Sequence, residues 1–269
     1  MPWHDAAVPA RRDVSENAET IRRSFERQVE LFSGPDSPFA APANPSLAWI
    51  GPLDPSMIVL DVACGAAHAS EPLAPHVRQV VGVDLTPALL QLGAERTRAA
   101  GIDNLLLQEG DAEALPFTDA SFDVVCCRSS VHHFVNPQRA VDEMVRVTRP
   151  GGRVVLLDVV APDDDCRDTY DDVHRLLDPS HVRALLDWEL AGLLPDGGDA
   201  LAYATRTTAR LPVDLIFTEQ ADRAAVEDAL AADLAGRGPR TGFAPEVDES
   251  GRTTVAFTTC ILHHERLAW

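Results

Sequence analysis

Acidic residues recur at one kind of place in this sequence. Asp61, Asp84, Asp111 and Asp158 each end or closely follow a short apolar run, and Arg128-Ser129 follows another. Asp61 stands in LDVACGAAHAS, where a single glycine, Gly65, precedes small residues suited to a helix. A strand, tight turn and helix in that order let a ligand come close to the backbone. A pyrophosphate would need a run of glycines and a positive field, and here the turn offers one glycine and an acid. The turn therefore suits a ligand without phosphate whose near end is cationic. Asp84 lies 23 positions beyond Asp61, where a carboxylate can accept both hydroxyls of a ribose. Asp111-Ala112 follows the next run, where a carboxylate could take an adenine amino group. Taken singly, each of these acids could equally be a helix cap or a surface residue, and the set is specific through its order and spacing.

A second group of residues could move protons. His132-His133 comes directly after the run ending at Arg128, and imidazole titrates near neutral pH. His133 is the first candidate for a general base or substrate contact, and Asp158 is a candidate to orient it or to bind substrate. The competing readings are a pocket-shaping histidine pair and a structural strand-end acid. Asp171 and His174 share a helix face at i, i+3 and, with His181, could make a histidine/carboxylate metal site. Against that, Asp163-Asp164-Asp165 and its neighbourhood read as a solvated acidic face, and no metal is expected. His181, in DPSH, is expected to cap or pack at a helix start, with Asp178 or Ser180 as N-cap. His263 and His264 alternate faces of a strand, and Cys126-Cys127 reads as buried strand.

The elements that must position these groups follow from periodicity. Residues 1–18 read as a polar arm, and Ile21, Phe25, Val29 and Phe32 mark a helix over 19–32. A proline-rich loop, GPDSPFAAPANP, leads to the first strand. Strands are expected at 57–61, 80–84, 104–108, 122–127 and 153–160, alternating with helices. One helix has Thr86 as N-cap, Pro87 at its first position and Gly101 past its end. Another opens at Asn136-Pro137 and is stopped by Pro150-Gly151-Gly152. Two more strands, 201–210 and 253–261, flank a helix over 219–234. The alternation predicts an α/β fold: a Rossmann-like, doubly wound, mostly parallel seven-stranded sheet with helical lid and cap segments. Its expected parts are an arm and lid helix (1–50), a cofactor-binding core (51–162), a helical cap (163–200) and C-terminal strands with an inserted cap helix (201–269), in one domain overall.

Composition sets further bounds. The formal net charge of -19 over 269 residues disfavours nucleic acid and anionic membranes as partners. Every basic residue is arginine, so lysine chemistry of the P-loop, Schiff-base and kinase kinds is excluded. Five cysteines without a C-x-x-C pair read as reduced thiols in a cytoplasmic protein. The paired arginines near the N-terminus have no apolar run after them, so no signal peptide is expected.

The motifs VLDVACG, VVGVDLT, EGDAEALPF, FDVVCCRSSVHHF and RVTRPGGRVVLLD together resemble those of class I S-adenosylmethionine-dependent methyltransferases. The branch they resemble is that of the ubiquinone/menaquinone methyltransferases, UbiE-like, and its uncharacterised bacterial members. S-adenosylmethionine carries adenosine, no phosphate, and a cationic amino-acid end, as the turn requires. The resemblance implies that Asp61, Ala63 and Gly65 line the methionine end, and that Asp84 and Leu85 hold the ribose and flank the adenine. It implies that Asp111 and Ala112 face the adenine, that Arg128 and Ser129 close the pocket below the methionine, and that Phe25, Gln28 and Phe32 belong to the lid. One position departs from the family: Ala67 stands where a second glycine is usual. The implied activity is methyl transfer to an O, N or C atom of a small-molecule acceptor. The alternatives are a methyltransferase-like enzyme that binds the cofactor but catalyses a cyclisation, and a non-enzymatic sensor. The expected partner is a small molecule, with neither nucleic acid nor membrane, and a homodimer is left open.

Overall fold

In the computed structural model, which describes residues 14–27, 29, 47–195, 201–217 and 221–266, the β-branched apolar runs become strands of one sheet. These are β1 (Ile58–Val62), β2 (Gln79–Asp84), β3 (Leu105–Glu109), β4 (Phe122–Arg128), β5 (Thr148–Val159), β6 (Leu201–Pro212), β7 (Glu246–Val247) and β8 (Thr253–Glu265). The order is β3-β2-β1-β4-β5-β8-β6, with β7 paired to β8. From β3 to β5 every pairing is parallel, and β8 runs antiparallel between β5 and β6. The seven expected strands are thus joined by β7, a short edge strand that sequence periodicity cannot register at two residues. Strand order reverses between β1 and β4, and a ligand crevice opens there at the carboxyl ends.

The helices are α1 (Val14–Arg27), α2 (Ser70–Leu73), α3 (Pro87–Ala99), α4 (Pro137–Val147), α5 (Arg167–Leu177), α6 (Asp187–Gly192) and α7 (Arg223–Leu234). Period-two alternation sends neighbouring strand residues to opposite cores. Leu60, Val62 and Val125 pack with Ala140, Val141 and Met144 of α4 on one face. Val59, Val80 and Val124 pack with Leu73 and Ala67 on the other. A third apolar cluster holds the caps: Tyr170, Val173 and Leu177 of α5 meet Val226, Ala229 and Leu230 of α7 around Phe243.

Several expectations need correction. Helix α1 begins at Val14, inside the stretch read as an arm, because its polar residues Asn17, Arg22 and Ser24 bond to the body of the protein. Thr86 holds the N-cap position of α3 through its carbonyl, and its hydroxyl makes no capping bond; its own N–H is taken by Asp84. Helix α4 ends at Val147, ahead of Pro150, where Thr148 Oγ1 donates to Met144 O at 2.7 Å and the chain enters β5 through a register shift. No helix begins at Asp178 or Ser180; residues 178–186 run irregularly and α6 starts at Asp187. Gln28, Phe32 and the proline-rich loop lie outside the described residues.

Candidate active site

A cavity of about 490 Å³ occupies the crevice. At its floor the β1 turn takes left-handed backbone at Ala63 (φ 56°), Gly65 (φ 54°) and Ala67 (φ 64°), and Ser129 after β4 does the same (φ 53°). Non-glycine residues in this region are strained by about 1–2 kcal/mol each, and such strain gathers where a site fixes the backbone. A Cβ added to Gly65 would meet only Leu89 Cδ1, at 3.8 Å, and would otherwise stand in the cavity. The missing side chain is space for a ligand. Ala67 is fully buried against the core beneath the turn and does not line the cavity. Its extra methyl therefore costs the cavity nothing.

The acids at the strand ends are brought together. Asp84 accepts Gly65 N–H at 2.8 Å on Oδ2 and Thr86 N–H at 2.8 Å on Oδ1, which locks the β1 turn to the β2 end and leaves each oxygen a lone pair. Burial raises its pKa against these bonds. Asp61 is buried beneath the turn and accepts Ser70 Oγ–H at 2.5 Å. Burial pushes its pKa up to about 6, opposed by the Ser70 hydroxyl and the Arg128 charge. Asp111 accepts the Glu113 N–H at 2.9 Å, and Leu85, Ala112 and Glu113 line the wall between. Burial also raises the Glu113 pKa. Helix α1 covers this end: Asn17 Nδ2 donates to His133 O at 2.9 Å and Arg22 Nε donates to Leu85 O at 3.0 Å.

Beyond the β4 end the cavity continues as a chamber lined by histidines and apolar residues, among them Phe134, Leu177, Ile216 and Phe257. His132 Nδ1 lies 2.6 Å from Asp158 Oδ1, and its N–H donates to Asp158 Oδ2 at 3.1 Å. Burial penalises the His132 cation, but the Asp158 charge and hydrogen bond outweigh it and hold the pKa above the ordinary value. His133 meets Phe25 edge-on at 5.3 Å, and Ser180 Oγ lies 3.2 Å from its Nδ1. Its Nε2 is 4.0 Å from Asp178 Oδ2. Burial, with the charge of His132, pushes its pKa down to about 4. His174 stacks on His181 at 4.0 Å, and His181 Nε2 lies 2.7 Å from Asp171 Oδ1. Burial, then neighbouring histidines, lowers the pKa of both rings well below the ordinary value.

Residues 60–156 match the methyltransferase domain family. The chain is 40% identical over 134 residues to the uncharacterized methyltransferase YcgJ of Bacillus subtilis, covering 49% of this chain and 53% of that one. Over 142 residues it is 34% identical to the uncharacterized protein YafE of Escherichia coli, covering 52% of this chain and 68% of that one. The chain belongs to the class I S-adenosylmethionine-dependent methyltransferases. The crystal structure of YcgJ superposes with a TM-score of 0.71 at 26% identity, over 81% of this chain and 94% of that one. Among UbiE-like relatives, the demethylmenaquinone methyltransferase of Clavibacter sepedonicus is 38% identical over 104 residues, covering 39% of this chain and 42% of that one. The chain spans 53% of the length of YcgJ, 68% of YafE and 42% of the Clavibacter sepedonicus enzyme.

The cavity fits the cofactor of this methyltransferase family. Among the described residues, five carboxylates (Asp61, Asp84, Asp111, Glu113, Asp178) line it against one guanidinium (Arg128), which suits a ligand bearing an ammonium and a sulfonium and repels phosphate. The space at Gly65 is open, and Asp84 retains acceptor capacity toward it.

The residues singled out from sequence divide as follows. Asp61, Ala63, Gly65, Asp84, Leu85, Asp111, Ala112, Arg128, Ser129 and His133 all border the one cavity. Asp158 does not; it sits behind His132 and does not bond to His133, the residue it was expected to orient. Gln28 and Phe32 lie outside the described residues. Sequence reasoning missed Asn17, Glu113, Asp178 and Phe257, which also border the cavity. Asn17 was legible only as a polar break in an amphipathic helix, and Phe257 only as an aromatic in a strand. Neither pattern says which way the side chain points.

Proposed function

We propose that the protein transfers the methyl group of S-adenosylmethionine to a small-molecule acceptor held in the histidine-lined chamber. The observation that carries this is the acidic cavity at the β1/β4 reversal, floored by the one-glycine β1 turn and continuous with that chamber. When bound, the cofactor supplies a methyl carbon already activated by a sulfonium. Asp61 sets the negative potential at the methionine end, and Ala63 and Gly65 give the backbone edge along which that end lies. Asp84 accepts the two ribose hydroxyls. Leu85 and Ala112 flank the adenine, and Asp111 takes its amino group. Arg128 and Ser129 close the floor below the methionine.

Helix α1 excludes water by capping the cavity through Asn17, Arg22 and Phe25. Gln28 and Phe32 are assigned to the same lid on the resemblance alone. His133 keeps the role of an acceptor contact. It acts as a neutral ring that shapes the chamber, because its nitrogens face Ser180 and Asp178. Asp158 is a positioning residue that fixes the tautomer and orientation of His132. The net charge of -19 disfavours nucleic acid as the acceptor. Among the described residues no helix is long and apolar enough to cross a membrane. The five free, buried cysteines suit a reducing cytoplasm.

Calorimetric titration with S-adenosylmethionine and S-adenosylhomocysteine tests the cofactor assignment. The expected result is micromolar binding, weakened at least tenfold by Asp84→Asn and more by Asp84→Ala. A labelled-methyl screen of small molecules then tests transfer. Product formed without loss of methyl from the cofactor would replace methyl transfer by a rearrangement such as a cyclisation.

A further inference from the structure

Three histidines from three separate segments meet beside the chamber. His132 follows β4, His174 lies on α5, and His181 lies in the irregular stretch after it. Each offers a ring nitrogen, and these atoms lie within 4.8 Å of one another. All three residues are buried. We propose that His132, His174 and His181 bind one divalent transition-metal ion, with its open coordination position facing the acceptor chamber.

The carboxylates around the group are placed as they are around histidine ligands. Asp158 takes Nδ1 of His132 at 2.6 Å, which leaves Nε2. Asp171 takes Nε2 of His181 at 2.7 Å, which leaves Nδ1. A carboxylate on the far nitrogen fixes the tautomer and raises the basicity of the near one. The near nitrogen of His181 and Nδ1 of His174 are buried without a hydrogen-bond partner. Buried polar atoms are normally satisfied, so two orphans in one three-ring cluster point to a missing common partner. Neither nitrogen has a hydrogen-bond partner among the described residues, whereas one cation would satisfy both and take His132 Nε2 as well.

The scaffold holds two rings by hydrogen bonds and the third, His174, by ring packing against Tyr170, Phe243 and Phe257. The backbone N–H groups of Val182 and Arg183 donate to His132 O at 2.9 and 3.1 Å, and Asp171 Oδ1 also accepts Ala184 N–H at 2.8 Å. These bonds tie the His181 segment to both His132 and α5. His174 instead stacks on His181 with an interplanar angle of 10°. Nitrogens bound tetrahedrally to one zinc ion sit about 3.4 Å apart, so rotation of the His174 ring closes the set. Three neutral imidazoles suit zinc, iron, cobalt, nickel or copper and do not suit magnesium or calcium. Three protein ligands with a vacancy are the catalytic, not the structural, pattern. His132 and His174 line the cavity and His181 lies behind them, so the vacancy faces the chamber. On the methyl-transfer reading, on which this last step rests, the ligand there is the oxygen of a hydroxyl-bearing acceptor.

The test uses the full chain stripped with a chelator and titrated with Co²⁺, following the visible absorption of tetrahedral cobalt, with Zn²⁺ as competitor. One equivalent is expected to bind. Asp171→Asn, which removes no ligand, is expected to weaken binding 10–100-fold. His174→Ala is expected to weaken it at least as much, with thermal melting reporting whether each variant is folded. Absence of stoichiometric cobalt binding in the wild-type chain, or unchanged binding in folded His174→Ala and Asp171→Asn, overturns the site. A parallel S-adenosylhomocysteine titration separates the two readings. Cobalt bound without cofactor supports the metal site and removes the methyl-transfer reading. Cofactor bound without cobalt does the reverse.

Discussion

Asp61 is a carboxylate that the folded chain holds at a cost. Its pKa rises from 3.8 to about 6 through burial, only partly offset by Ser70 and Arg128. A raised carboxylate pKa means that ionisation opposes folding, so stability without ligand declines as pH rises from about 4 to 6. At pH 7 Asp61→Asn is therefore expected to stabilise the ligand-free chain, on the order of 2 kcal/mol by chemical denaturation. The same substitution is expected to weaken binding of a cationic cofactor. In the wild type, cofactor affinity should fall below pH 6 by up to tenfold per unit, and Asp61→Asn should flatten that profile. Ala67 gives the opposite kind of prediction. Its methyl points into the core, so Ala67→Gly is expected to leave cofactor affinity within twofold by calorimetry. Sequence ranked His133 ahead of its neighbour His132, with Asp158 as a candidate to orient it. Only the fold sets Asp158 on one and Ser180 on the other.

Among the elements, α1 is tied to the body of the protein by side-chain bonds. Its bonds to His133 O and Leu85 O join the lid to the ends of β4 and β2. Hydrogen bonds of this kind contribute about 1 kcal/mol each. Asn17→Ala with Arg22→Ala is expected to speed amide exchange across Val14–Arg27 roughly tenfold or more, with the strands of the sheet unchanged. Equal loss of protection in β1 and β4 would instead make α1 part of the core unit. The helix boundaries that differ from the sequence reading are the start of α1 at Val14 and the end of α4 at Val147. The first lies on a helix bonded to distant residues and the second is followed by the Thr148 side-chain-to-backbone bond, neither of which local propensity encodes.

For the whole molecule the dominant global quantity is charge. A formal net charge of -19 sets the folded chain against itself, and salt screens such repulsion over a Debye length of about 8 Å at 0.15 M. The melting temperature is expected to rise by a few degrees between 20 and 300 mM sodium chloride. A fall would mean that ion pairs such as Arg146–Glu143 and Arg167–Glu189 outweigh the repulsion. The caps have an apolar cluster of their own, around Tyr170 and Phe243, separate from the two that sandwich the sheet. Substrate specificity can therefore change there while the cofactor end stays fixed.

The sequence by itself determined the α/β alternation, the parallel run β1 to β5 and the acids at the strand ends. These rest on periodicity, turn chemistry and spacing, all of which are local. Asp61, Gly65, Asp84 and Asp111 were legible for the same reason, since each ends or follows its own strand. Tertiary structure alone decided which residues share the chamber. His132, His174 and His181 are brought together by segments up to 49 positions apart, and Asn17 reaches His133 across 116. Side-chain direction at such junctions depends on the packing of α5 and of residues 178–186 over the sheet, a long-range balance that no short window of sequence contains.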